Sequence, residues 1–255
     1  MGTAMHSPLV VGNWKMHKDP AETACFFKAF EALIDSRVRC DVVICPPFLD
    51  LETAVDASSG TRVQIGAQNL HWAKEGAYTG EISGPMIRAC GCSHVIVGHS
   101  ERRRYFGETN ESVSRKTLAA LDAGLTPIVC IGDFEKKNAS DVIVEHFRCS
   151  LGGLSVDQFA RIVVAYEPFW AIGSGDVAAP AMAGDAHRFI RGQAEAMFGA
   201  EASKSTRLLY GGSVKPGNAA GLMAESEIDG FLVDGASLDP AGFASIANLW
   251  IPPAP

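Results

Sequence analysis

Six short polar clusters in this 255-residue chain each follow directly on an apolar run: Asn13-Trp14-Lys15, Gln68-Asn69, Gly98-His99-Ser100-Glu101-Arg102-Arg103, Glu167-Pro168-Phe169-Trp170, Gly211-Gly212-Ser213 and Asp234-Gly235-Ala236-Ser237. Among them are a carboxylate, an imidazole and an ammonium. Moving a proton between adjacent carbons needs a base, and the charge that builds on a neighbouring oxygen needs donors. Glu167 comes straight after Ile162-Val-Val-Ala-Tyr, beside Pro168 and Trp170, where limited solvation raises a carboxylate's basicity. Ser100 is placed to cap a helix starting after His99, and the dipole of that helix would keep the imidazole neutral. Glycine-rich turns at helix starts let backbone N–H groups converge on an anion. Three are present, around Gly173, at Gly211-Gly212-Ser213 and at Asp234-Gly235. Singly, each has a plainer reading: a helix-start glutamate, a structural histidine, a solvated lysine, a structural loop.

Eight β-branched or leucine-rich runs recur along the chain and precede these clusters or lie between them: Leu9-Val-Val, Val42-Val-Ile, Val63-Gln-Ile, Val95-Ile-Val, Ile128-Val-Cys-Ile, Ile162-Val-Val, Leu208-Leu-Tyr and Phe231-Leu-Val. They are near-continuous instead of alternating, the pattern of strands buried on both faces of a parallel sheet. Amphipathic stretches of helical length lie between them, over Ala21–Ser36 (with Phe26, Phe27, Phe30, Leu33 and Ile34 on one side), Ser112–Ala123, Asp141–Leu151 and Ala183–Phe198. No linker or low-complexity tract divides the chain, and 255 residues suit one α/β barrel. The expectation is a single (β/α)8 barrel over 1–255 with a parallel eight-stranded core and a flexible extension at 1–7. A doubly wound sheet is the alternative, but Leu9-Val-Val runs into Gly12-Asn-Trp-Lys, without the glycine fingerprint of a dinucleotide turn. In a barrel the active site forms where strands end and βα loops begin, which is where the six clusters lie.

Composition narrows the ligand classes. The net charge of −7 opposes adhesion to nucleic acid or an anionic membrane, so an anionic ligand has to be held by local donors. The chain's start lacks a basic segment, and no apolar run reaches 18 residues. Seven cysteines, several within apolar runs, read as reduced thiols of a cytoplasmic protein. Cys90-Gly-Cys92 has no matching pair elsewhere, so no metal site is expected.

Read together and in order, Gly12-Asn-Trp-Lys-Met16, Gly66-Ala-Gln-Asn69, Thr79-Gly-Glu-Ile-Ser83, Gly98-His-Ser-Glu-Arg-Arg103, Ala165-Tyr-Glu-Pro-Phe-Trp-Ala-Ile-Gly173 and Tyr210-Gly-Gly-Ser-Val214 resemble the triosephosphate isomerase family along essentially the whole chain. The resemblance implies a cofactor-free, metal-free aldose–ketose isomerase of glycolysis and gluconeogenesis, acting on dihydroxyacetone phosphate and D-glyceraldehyde 3-phosphate through an enediolate. It assigns Glu167 as the base, His99 as the electrophile and Lys15 as a positive charge for enediolate and phosphate, with Asn13 as a further polar contact. These roles are a worked example in general enzymology and are carried over by likeness. Glu101 would pair with and orient Lys15. Gly173, Ser213, Asp234 and Gly235 match the phosphate grip. Pro168-Phe169-Trp170-Ala171-Ile172-Gly173-Ser174-Gly175-Asp176-Val177-Ala178 reads as a lid. Trp72–Ser83 is similar to the loop that family members insert into a partner subunit, so a homodimer is expected.

Two positions depart from the family pattern. Gly173-Ser-Gly-Asp-Val-Ala178 puts Asp176 in the far hinge of the lid, where many members have Gly-Thr-Gly-Lys-Thr-Ala. Asp234-Gly235 stands where two consecutive glycines are usual, and the expected geometry has the Asp234 side chain capping the short helix that follows. A four-carbon tetrulose-phosphate isomerase, a Schiff-base aldolase and a non-catalytic phosphate-binding barrel are the alternatives.

Overall fold

A computed structural model of the chain describes residues 7–133, 139–169 and 179–251. Of the expected N-terminal extension, residues 1–6 lie outside the described residues. Eight parallel strands close on one another in sequence order: β1 Leu9–Asn13, β2 Asp41–Cys45, β3 Val63–Ala67, β4 His94–Val97, β5 Thr126–Asp133, β6 Val163–Pro168, β7 Arg207–Tyr210 and β8 Gly230–Val233, with β8 pairing back onto β1. This is the expected (β/α)8 barrel.

Each strand is followed by at least one helix. Among the described residues these are α1 Pro20–Glu31, α2 Leu51–Ala57, α3 Gly84–Ala89, α4 Ser100–Tyr105, α5 Asn110–Asp122, α6 Ala139–Leu151, α7 Val156–Phe159, α8 Pro180–Phe198, α9 Ala200–Ser205, α10 Pro216–Met223 and α11 Pro240–Ala247. Helix α1 starts where Asp19 and Glu22 form a reciprocal capping box ahead of Pro20, and its Phe26, Phe27 and Phe30 are buried. It ends at Glu31, short of the expected Ser36, and Leu33 is left exposed. The Asp35 carboxylate accepts the Arg37 N–H at 2.8 Å, and Asn248 accepts the Asp35 N–H at 3.0 Å. These side chains offer the backbone partners that a further helical turn would have to displace.

The continuous apolar runs have a direct structural cause. One set of alternate residues, including Leu9, Val11, Val43, Ile128, Cys130, Val163, Ala165 and Leu232, fills the barrel interior. The other, including Val10, Val42, Ile44, Val129, Val164 and Phe231, packs outward under the helices. Both faces of the strands are therefore largely removed from water, β3 excepted where Gln64 is exposed near its start, and these inward-facing positions stay apolar until the carboxyl ends.

Candidate active site

The inward-facing series change from apolar to polar at the carboxyl ends of the strands. Leu9 and Val11 lead to Asn13, Val163 and Ala165 to Glu167, and Leu232 to Asp234 one step past β8. The two-residue strand period aims all three side chains at the same mouth of the barrel.

Glu167 is fully buried. Its Oε2 accepts the Ser100 N–H at 3.0 Å, and its Oε1 lies 2.9 Å from His99 Nε2. Gly211 makes room for it, because a Cβ there would stand 3.0 Å from Glu167 Cγ and 3.2 Å from the Tyr166 carbonyl. Burial, reinforced by the Glu167 carboxylate, pushes the Cys130 thiol well above its ordinary pKa.

His99 is brought to the mouth by Gly98, whose φ of +73° turns the chain and whose added Cβ would meet Val113 Cγ2 at 2.8 Å. The helix cap differs from expectation. His99 itself is the N-cap of α4, its Nδ1 accepting the Glu101 N–H at 3.3 Å, and Ser100 is already the first residue of the helix, its backbone N–H donating to Glu167. Burial lowers the His99 pKa, but the carboxylates of Glu167, Asp234 and Glu101 outweigh it and raise the value to about 9. The helix start therefore does not dominate while Glu167 is this close. The Glu101 N–H directed at Nδ1 acts in the opposite sense, since it requires a lone pair on that nitrogen.

Lys15 adopts a left-handed backbone conformation, φ 52°, uncommon for a residue with a side chain. Its N–H donates to Asn13 Oδ1 at 3.2 Å, and Gln68 Nε2 donates to the carbonyls of Lys15 at 2.8 Å and Cys45 at 2.9 Å. Held this way, Lys15 Nζ reaches Glu101 Oε1 at 2.7 Å and Asp234 Oδ2 at 2.9 Å. Burial lowers the Lys15 pKa; Asp234 and Glu101 more than restore it, and the net shift is upward. The Glu101–Lys15 pair is as expected.

Asp234 departs from expectation. Its side chain makes no cap hydrogen bond to the 3-10 turn Gly235–Leu238. Both the N–H and the hydroxyl of Ser237 close that turn onto the Asp234 backbone carbonyl, at 2.8 and 2.6 Å. The side chain is left to accept from Asn13 Nδ2 at 3.1 Å and to pair with Lys15. Burial raises its pKa, against the opposing pull of His99 and Lys15. Ser213, Asp234 and Gly235 line one cavity of about 760 Å³ together with Asn13 and Lys15. The Ser213 carbonyl is fixed by Asn218 Nδ2 at 2.8 Å.

Pro168 closes β6, and the Phe169 ring lies 6.3 Å from that of His146. The rest of the expected lid, Trp170 to Ala178 and so including Gly173 and Asp176, lies outside the described residues. The Trp72–Ser83 segment is closed at its base by the His71 N–H to Ile82 carbonyl bond at 2.8 Å. The His71 ring packs on Trp72 and Tyr78, at 4.3 and 4.2 Å. Among the described residues, no three His, Cys, Asp or Glu side chains are grouped to hold a metal ion, and no helix is long and apolar enough to cross a membrane.

Gln68 and Arg103 support the site without having been assigned a part in it. Arg103 Nε donates to the Gly98 carbonyl at 2.8 Å, while its Nη1 and Nη2 reach Asn110 Oδ1 and the Cys130 carbonyl at 2.7 and 3.2 Å. It fastens the turn bearing His99 to β5. In the sequence they were marked by their positions after β3 and β4 and by the motifs Gly66-Ala-Gln-Asn69 and Gly98-His-Ser-Glu-Arg-Arg103 that contain them.

A closed parallel barrel with a carboxylate, an imidazole and an ammonium gathered at the carboxyl ends of its strands defines a (β/α)8 protein of the enzymatic type. The triosephosphate isomerase family model matches residues 8–250, and the chain belongs to the triosephosphate isomerase family. It is 56% identical over 248 residues to the triosephosphate isomerase of Solibacter usitatus, covering 96% of this chain and 100% of the relative. It is 47% identical to that of Moorella thermoacetica, covering 96% and 99%. The crystal structure of triosephosphate isomerase from Bartonella henselae is similar with a TM-score of 0.86 at 35% identity, over 96% of this chain and 99% of that one.

Proposed function

We propose that this chain interconverts dihydroxyacetone phosphate and D-glyceraldehyde 3-phosphate by proton transfer through an enediolate. The observation that carries this reading is the convergence of Glu167, His99 and Lys15 within one chain of contacts, in a protein of this family. Glu167 is the base, His99 Nε2 donates to the substrate oxygens, and Lys15 with Asn13 offsets the negative charge that develops on them. The 2.9 Å between His99 and Glu167 leaves no space for a substrate carbon, so the carboxylate leaves the Ser100 N–H and moves onto the carbon it deprotonates. That movement withdraws the nearest negative charge from His99, and the Glu101 N–H at Nδ1 then favours a neutral ring with its proton on Nε2. The N–H groups of Ser213, Asp234 and Gly235, with Gly173, hold the phosphate, and the segment 168–178 closes over it. Proton transfer of this kind needs neither a metal nor an organic cofactor.

The enzyme acts as a cytoplasmic homodimer joined through Trp72–Ser83. Support for the dimer comes from Met16, directly after Lys15 and 92% exposed, and from Tyr78 at the loop tip, 48% exposed. Apolar side chains so placed suit cover by a second subunit. The test of the activity is the coupled assay, with D-glyceraldehyde 3-phosphate as substrate and reduction of dihydroxyacetone phosphate as the readout. Absence of turnover at micromolar enzyme would reject the reading.

A further inference from the structure

The side chain of Asp234 is not needed for the turn in which it sits. That turn is closed on the residue's backbone carbonyl by Ser237, and among the described residues the hydrogen-bonded and ionic partners of its carboxylate are groups of the site. Asn13 Nδ2 donates to Oδ1 at 3.1 Å, Lys15 Nζ lies 2.9 Å from Oδ2, and His99 Nε2 lies 3.9 Å from Oδ1. The same three nitrogens are the ones assigned above to the ligand's oxygens. A carboxylate carries two oxygens and a negative charge, as part of an anionic ligand does, so it competes for the same donors.

We infer that Asp234 is a specificity-determining residue whose carboxylate occupies the ligand-oxygen position between Lys15, Asn13 and His99, so that an anion binds only by displacing it. The inference rests on reading this cavity as a phosphate-ester site, and it concerns which anions are admitted. Two carboxylates, Glu101 and Asp234, pair with the ammonium of Lys15, and a third, Glu167, lies against His99 in the same site. A bare oxyanion such as sulfate or inorganic phosphate brings charge alone and meets this repulsion without compensation. A triose phosphate also brings carbonyl and hydroxyl oxygens, which give Asn13 and His99 new partners once Asp234 has turned aside. Asp234 therefore weakens inorganic anions more than it weakens the substrate, and it keeps the site open in their presence.

The test compares the wild-type protein with Asp234→Gly and Asp234→Asn. The probes are sulfate and inorganic phosphate, followed both by calorimetric binding and as competitive inhibitors of glyceraldehyde 3-phosphate turnover. Removing one negative charge several Å from a partly solvated anion is expected to tighten sulfate binding roughly tenfold in both variants. KM for the triose phosphate should fall by a smaller factor. Asp234→Asn keeps the volume and an acceptor for Asn13, so it serves where the glycine variant fails to fold, and it separates charge from shape. Sulfate affinity within twofold of wild type in both variants would overturn the inference. Tightening in the glycine variant alone would support displacement with the side chain's occupancy of the position, and not its charge, as the obstacle. Calorimetry needs no turnover: a wild-type protein inactive on triose phosphate whose variants still tighten sulfate would reject the proposed reaction and leave the displacement standing.

Discussion

Replacing Glu167 by Asp tests the placement of the base most directly. The change removes one methylene, about 1.5 Å of reach, from a side chain whose two oxygens contact the Ser100 N–H at 3.0 Å and His99 Nε2 at 2.9 Å. The backbone is not free to follow. Glu167 is paired in register with Gly132 of β5, and the next residue is Pro168, whose ring fixes φ. The shortened carboxylate therefore stops about 1 Å short of the substrate carbon, a misplacement of the order that costs a hundredfold or more. The expected result is a kcat lower by about 10²- to 10³-fold, equivalent to roughly 3–4 kcal/mol of barrier. KM should stay within about threefold, because the groups proposed to hold the phosphate and Lys15 are untouched. Steady-state kinetics in the coupled assay would measure both, with the melting temperature as a control for folding. A kcat within fivefold of wild type, or a loss carried mainly by KM, would refute Glu167 as the base.

Gly98→Ala places a Cβ 2.8 Å from Val113 Cγ2 at a φ of +73°. A left-handed residue costs about 1–2 kcal/mol and overpacking about 1–3 kcal/mol, so a melting-temperature drop of roughly 5–15 °C should accompany loss of kcat; an unchanged melting temperature would count against the argument for the turn. Burial holds the pKa values of His94, His146 and His187 down to about 4, from an ordinary 6.5. The unfolded chain therefore takes up protons near 6.5 that the folded chain refuses. The contribution of these three histidines to stability is fully present above pH 6.5 and is lost as pH falls toward 4, each adding at most about 1.4 kcal/mol per pH unit to the slope. Denaturant titrations across this range should show the slope, and His187→Gln should make it shallower; an unaltered slope would remove His187 from the account. For the proposed dimer, sedimentation should find a species of twice 27.0 kDa, whereas a fully active 27.0 kDa species at micromolar concentration would reject it.

The strands were the most legible part of the sequence, because burial on two faces leaves an apolar run with few polar interruptions, as in Ile128-Val-Cys-Ile and Leu208-Leu-Tyr. The polar groups gathered at the mouth were legible for a related reason: Asn13, Glu167 and Asp234 are the first polar positions after their runs, and the strand period dictates where they face. What could not be read were choices between competing local partners. Ser100 has the right side chain for a cap, yet its N–H goes to Glu167 and His99 takes the cap. Asp234 also has a capping side chain, but Ser237 closes the turn on its backbone carbonyl, and the pull of Lys15 and Asn13 settles its direction. The early end of α1 depends on Asn248, more than two hundred residues away, and no local pattern encodes it. Gln68 was visible as a polar residue, but its bond to the carbonyl of Lys15 exists only once β1 and β3 have been brought around β2.

The polar mouth is only one inward-facing position deep on the strands that carry Asn13 and Glu167, and this has a consequence for how such a protein changes. Below Asn13 lies Val11, and below Glu167 lies Ala165, both wholly removed from water. An exchange at the upper position alters which groups a ligand meets while leaving the apolar filling beneath it intact, so selection can explore new ligands one residue at a time with little risk to folding. The carboxylate at position 234 has the character of such an exchange. A library varied at 13, 167 and 234 would sample recognition with the barrel held constant, whereas one varied at 11 and 165 would sample little besides stability.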